Sequence, residues 1–298
     1  MGSVFYFHPV PDQTHRRFFM VLHYDGSDFF GWQRQKSERT VQGEVESVLE
    51  RLTGAHRPLM GSGRTDRGVH AVGQVASVVL PSRWEAASLR SALNALLPPA
   101  VWVQEVRRVD PAFHPRYDAV ARSYAYLLGT EELTHSPLLA GRCWRLGKPL
   151  NPGALEEAAR ILPGDHSFKA FAKVGQEERG DRCQVESAEW LPWDGLGHVF
   201  TITANRYLHH MVRYLVGTMV EIALGKRPRD DLSMLLSPDR GALETSPPAP
   251  PEGLYLTRVR YPPEVALPLE QDRDGSSEVA WSKLLATQHL IHHIGETE

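Results

Sequence analysis

Strand and helix patterns alternate twice along this chain, over residues 17–109 and again over 122–261, and that recurrence restricts it to a layered α+β architecture. In the first half, RFFMVLHY (17–24) is a β-rich run that ends at the turn pair Asp25-Gly26. Thr40 stands where a helix cap is needed, Val41, Val45, Val48, Leu49 and Leu52 then recur at helical spacing, and Gly54 ends the run. A strand over 74–80, a helix over 85–97 stopped by Pro98-Pro99, and a strand over 101–109 complete this half. The second half predicts strands at 122–128, 184–193, 198–204 and 254–261, with helices at 152–162, 209–224 and 229–236. The division expected is an N-terminal extension over 1–15, halves over 16–112 and 113–262, and an acidic tail over 263–298 with a weak helix near Trp281.

Composition removes several classes. Two cysteines, Cys143 and Cys183, exclude a disulfide scaffold and a cysteine-rich zinc module, and fit a reducing, cytoplasmic setting. The first residues lack the basic and apolar segments of a signal peptide. The longest apolar stretch, 211–224, contains Arg213 and Glu221 and is too short and too charged to span a bilayer. Net charge is −3, and the tail over 263–298, with seven acidic and two basic residues, by itself accounts for −5. Residues 1–150 hold 18 basic and 14 acidic side chains, a balance of +4. The cations are mostly arginine, which forks onto phosphate and stacks on bases, although the bias alone does not establish an RNA partner.

Three segments offer chemistry. The glycine-rich stretch Gly61 to Ala71 matches neither the dinucleotide fingerprint nor a phosphate loop, and its acidic residue would repel phosphate. It presents a carboxylate, Asp66, between Arg64 and Arg67, either a nucleophile or base or simply a surface turn residue. The adjacent His209 and His210, read as helical, would point about 100° apart and not share a metal. Arg213, on an otherwise apolar helix, requires an anionic partner from elsewhere. Tyr124 and Tyr126 share one face of a strand, as core or as a stacking platform. Trp32-Gln33-Arg34-Gln35 has the composition of an RNA backbone contact.

Read in order, Tyr24-Asp-Gly-Ser-Asp-Phe-Phe-Gly-Trp-Gln-Arg-Gln, Gly63-Arg-Thr-Asp-Arg-Gly-Val-His-Ala, Phe113-His-Pro-Arg, Ala121-Arg-Ser-Tyr, Asn205-Arg-Tyr-Leu-His-His-Met-Val-Arg and Gly253-Leu-Tyr-Leu resemble the tRNA pseudouridine synthase A (TruA) family. The resemblance covers about 17–262. It implies two RRM-like α+β halves joined through an extended antiparallel sheet around a central cleft. It implies isomerisation of uridine to pseudouridine at positions 38, 39 and 40 of the tRNA anticodon arm, by a homodimer without cofactor or metal. By motif, Asp66 is the catalytic nucleophile, Tyr124 packs on the target base and takes the C5 proton, Arg213 pairs with Asp66, Leu254 walls the pocket, and Arg64 holds the flipped nucleotide. Arg67 departs from the motif, where a small residue is usual.

The residues are suited to that chemistry. Isomerisation breaks N1–C1′, turns the base and forms C5–C1′, so it needs a carboxylate near C1′ and neither a redox nor a group-transfer cofactor. Two other readings remain: an RNA-binding protein of the same fold without catalysis, and a carboxylate hydrolase, which would need a second acid in a comparable motif. If tRNA is the partner, affinity should fall steeply with salt, as log K against log salt, because the cations must gather in the cleft. Removal of residues 263–298, which carry two basic and seven acidic side chains, should leave activity intact and tRNA affinity equal or higher. Titration of tRNA against both chains over a salt series checks this. A flat salt profile, or lost binding on truncation, would contradict it.

Overall fold

The computed structural model describes residues 14–173 and 180–266. Most of the N-terminal extension and almost all of the acidic tail, with its expected helix, lie outside the described residues. The first half runs β1 (His15–Tyr24), α1 (Val41–Thr53), β2 (Met60–Gly61), β3 (His70–Pro81), α2 (Ala86–Leu96) and β4 (Val101–Val109). The second runs β5 (Ala121–Gly129), β6 (Trp144–Arg145), α3 (Pro152–Arg160), β7 (Gly164–Ser167), β8 (Arg182–Trp193), β9 (Gly197–Ala204), α4 (Met211–Ala223), α5 (Asp231–Leu236) and β10 (Leu254–Arg260).

Local signals account for the helices. The Thr40 side chain accepts from the Gly43 amide at 3.3 Å, and Gly54 takes a left-handed φ of 75° at the other end of α1. Val41, Val45, Val48 and Leu49 are buried, each worth roughly 1.5–3 kcal/mol if fully withdrawn from water. Asn151 caps α3 by accepting from the Ala154 amide at 3.1 Å, with Pro152 in the first turn.

The strands form one sheet in the order β4-β1-β3-β10-β5-β9-β8-β7, with β2 beside β3 and β6 beside β5. Its pairings are antiparallel except at β5–β6 and at the seam between halves, where β10 runs parallel to β3 through Tyr255↔His70 and Leu256↔Ala71. Two apolar cores flank the seam. One gathers Phe18, Met20, Leu22, Val45 and Leu49 of the first half, the other Phe168, Phe200, Leu215 and Met219 of the second. Tyr124 on β5 packs against both.

Arg122 ties the junction together. Its guanidinium donates to the carbonyls of Ala119, Asn205, Ser62 and Arg116 at 2.8–3.2 Å. Burial lowers its pKa from the usual arginine value, the cost of a cation that answers four backbone acceptors from three segments. Among the described residues no helix is long and apolar enough to cross a membrane.

Candidate active site

The Asp66 loop is held from beneath by the loop that follows β1. The Trp32 amide donates to the Thr65 carbonyl at 3.1 Å, the Gly68 amide donates to the Phe29 carbonyl at 3.3 Å, and Tyr24 and Thr65 share a hydroxyl hydrogen bond of 2.7 Å. Close backbone approach sets the glycines. Gly31 has a φ of 96°, and a Cβ there would lie 2.6 Å from the Thr65 carbonyl oxygen. Gly61 leaves the space that the Trp32 indole fills, since a Cβ would fall 2.5 Å from its Nε1. Trp32 is therefore only 3% exposed. It is a buried support of the Asp66 loop, which corrects its reading as an RNA contact. Gln74, fully buried, donates to the Gly63 carbonyl at 3.1 Å and fixes the start of the loop.

This scaffold presents Asp66 to the second half. Its Oδ1 lies 3.3 Å from His209 Nε2, and its Oδ2 lies 3.2 Å from His210 Nε2 and 3.6 Å from an Arg213 guanidinium nitrogen. The two histidines do not diverge as a helical reading requires. Helix α4 begins only at Met211, and His210 has a left-handed backbone, φ 66° and ψ 4°. It is the one non-glycine residue with positive φ among those described. That turn brings the ring centroids to 4.0 Å, with both Nε2 atoms facing Asp66. Burial lowers the His210 pKa from the usual imidazole value, assisted by His209, Arg213 and Lys173 and opposed by the Asp66 charge.

Arg213 is aimed from the far side. Its Nε donates to the Ala249 carbonyl at 2.7 Å, and the Ala249 amide donates back to the Arg213 carbonyl at 2.9 Å. The proline-rich stretch 245–252 thus brackets one arginine at both ends. Asp66, Arg67, His210, Arg213 and Glu252 line an open cleft of about 540 Å³. The Arg67 guanidinium lies 4.1 Å from the centre of the Phe30 ring, a cation–π contact that orients it along the wall. Glu252 places a second carboxylate on this wall, outside the motifs that sequence singled out.

The sequence from 20–118 and 158–262 matches the pattern of the family described as tRNA pseudouridine synthase. The chain belongs to that family. Its members are isomerases that convert uridine to pseudouridine. The chain is 39% identical over 261 residues to tRNA pseudouridine synthase A of Rhodospirillum rubrum, covering 85% of this chain and 90% of that one. It is 40% identical to the protein of the same name from Dinoroseobacter shibae, over 83% of this chain and 96% of the relative. The counterpart in Methylacidiphilum infernorum is 37% identical, over 82% and 95%.

Tyr124, Leu254 and Arg64 occupy three different settings. Tyr124 stands on β5, its ring edge-on to Tyr207 with centroids 4.9 Å apart. Desolvation, and after it the Asp66 charge, push its phenol well above the ordinary tyrosine range. Leu254 is 6% exposed, pairs in register with Tyr126, and belongs to the second-half core. Arg64 is exposed and is not part of the cleft lining. The structure therefore brings Asp66, Arg213 and both histidines together, with Tyr124 near enough to feel the carboxylate. Sequence reasoning weighed His209 and His210 as a metal pair and set them aside. Their adjacency was visible, but the backbone turn that makes them converge was not.

Proposed function

We propose that this synthase isomerises uridine to pseudouridine at positions 38, 39 and 40 of the tRNA anticodon arm, with Asp66 as nucleophile. The observation that carries the reading is the Asp66 carboxylate at an open cleft, answered by His209, His210 and Arg213 from the opposite half. Glycosidic isomerisation needs one carboxylate at C1′ that stays put while the base turns, and such a clamp holds it. The carboxylate attacks C1′ as the N1–C1′ electron pair leaves with the base. The base turns, C5 bonds to C1′ as the carboxylate departs, C5 loses its proton and N1 gains one. No electrons are exchanged with a cofactor.

In this scheme Tyr124 packs on the target base and takes the C5 proton, Leu254 backs the pocket, and Arg64, free in solvent beside the loop, holds the nucleotide extruded from the stack. The order β1-α1-β2-β3-α2-β4, with sheet neighbours β4-β1-β3-β2, supports reading the first half as an RRM-like layer. The two larger cores, one drawn chiefly from the first half and one from the second, support a division into halves over 16–112 and 113–262, with Phe113, Leu256, Val259 and Tyr261 packing across it into the first. We take the working enzyme to be a cytoplasmic homodimer. The test is tritium release from tRNA labelled at uridine C5. Release is expected, and it should vanish from tRNA with cytidine at 38, 39 and 40. Release from that tRNA, or none from the native one, would defeat the proposal.

Arg213→Lys should lower kcat/KM on the order of 10²-fold, as for removal of one preorganised donor. Lysine cannot donate to the Ala249 carbonyl and reach Asp66 at once, whereas the arginine fork does both. Steady-state kinetics, with circular dichroism to monitor folding, measures it. A rate near wild type would remove Arg213 from the site.

A further inference from the structure

We infer that Asp66, His209 and His210 form a divalent metal site, selective for Zn²⁺-like ions, whose occupation blocks the carboxylate. One donor atom from each of the three residues lies within 4.8 Å of the other two. A tetrahedral Zn²⁺ with ligands at about 2.1 Å sets its donor atoms roughly 3.4 Å apart, inside that limit. The imidazole–carboxylate separations are 3.3 and 3.2 Å, longer than the roughly 2.7–2.9 Å of a direct charge-assisted hydrogen bond. The carboxylate presents Oδ1 to one ring and Oδ2 to the other, so an ion bound by one of these oxygens would sit between the carboxylate and the two rings. Two imidazoles with one carboxylate suit zinc over magnesium or calcium, which prefer all-oxygen shells. The open cleft leaves room for water at a remaining position.

The backbone shows how the convergence arises. The left-handed turn at His210, uncommon for a non-glycine residue, is what directs both Nε2 atoms at one carboxylate. Arg213 at 3.6 Å opposes a second cation, so the ion is held more weakly than in a structural zinc site. The ion would hold the carboxylate that the proposed chemistry requires free. Zn²⁺ is thus an inhibitory ligand, and that consequence alone rests on the proposed role of Asp66.

Calorimetric titration of the full-length, RNA-free protein with Zn²⁺, and visible spectra of the Co²⁺ form, test the site directly. One ion per chain is expected, with the intense absorption of low-coordinate Co²⁺. Asp66→Asn, His209→Ala and His210→Asn should each weaken binding at least about tenfold. Asparagine keeps the left-handed turn accessible. Should His210→Asn not fold, His209→Ala and the Co²⁺ spectrum decide. The triple variant His289→Ala, His292→Ala, His293→Ala should bind normally, which separates the site from the histidines near the C-terminus. Absence of a stoichiometric ion, or equal affinity in all three ligand variants, overturns the proposal. Tritium release should fall with Zn²⁺ and return with chelator. Because the binding measurement needs no tRNA, failure of the synthase reading would leave it intact, and the reverse also holds.

Discussion

Asp66→Asn is expected to remove pseudouridine formation, by at least ~10⁴-fold, the scale reached when a covalent nucleophile is deleted. Asparagine keeps the shape and a hydrogen-bonding oxygen, so the Thr65 and Gly68 backbone contacts that carry the loop should survive. It lacks the negative charge and electron pair that the reaction at C1′ needs. Affinity for tRNA should change little, because phosphate contacts dominate it. Single-turnover tritium release together with filter binding separates the two quantities. Appreciable turnover in the variant would dismiss Asp66 as nucleophile, and a parallel collapse of binding would make it a recognition residue.

Tyr124→Phe should lower the chemical step by ~10²–10⁴-fold, the range for loss of a positioned proton-transfer group. The ring stays, so its edge-on contact with Tyr207 and its packing on both cores should persist and the protein should fold normally. Desolvation and the Asp66 charge hold the phenol above its ordinary range. A raised pKa in a group that is neutral when protonated means the hydroxyl keeps its proton at neutral pH, so Tyr124 would take the C5 proton only as its own hydroxyl proton passes on to another acceptor. Tyr124→Leu should lose base stacking as well and fall further. Wild-type single-turnover rates in both variants would return Tyr124 to a purely structural place in β5.

Local rules made much of the frame legible, and the exceptions have identifiable causes. Helix α1 was legible because Thr40, the valine spacing and Gly54 all speak for the same thirteen residues. Strand β7 was not: Gly-Asp-His-Ser reads as a turn, and only its ladder with β8 makes it a strand. Arg213 announced a missing anion because charge is costly on an apolar helix, and the structure puts Asp66 3.6 Å away. The histidines were misjudged because the helical pattern was extended two residues too far, across the left-handed turn at His210. The burial of Trp32 was not legible because its cavity is created by the absent side chain of Gly61, a relation between a loop and strand β2 that only the folded chain sets up.

The strand at the centre of the sheet is the last one made. β10 lies between β3 and β5, and a chain still emerging from the ribosome before residue 254 has neither seam nor continuous sheet. At roughly 5–20 residues per second, the half ending at β4 is complete several seconds before β10 appears. Until then β3 and β5 each expose an unpaired edge, the feature that recruits foreign strands. A chain that stops between β9 and β10 therefore keeps both exposed edges and should associate rather than act as a weakened enzyme. Asp66 has been synthesised by then, but it meets its clamp on the opposite half only once the final strand has closed the gap. Translation itself thus delays the assembly of Asp66's surroundings until almost the whole chain exists.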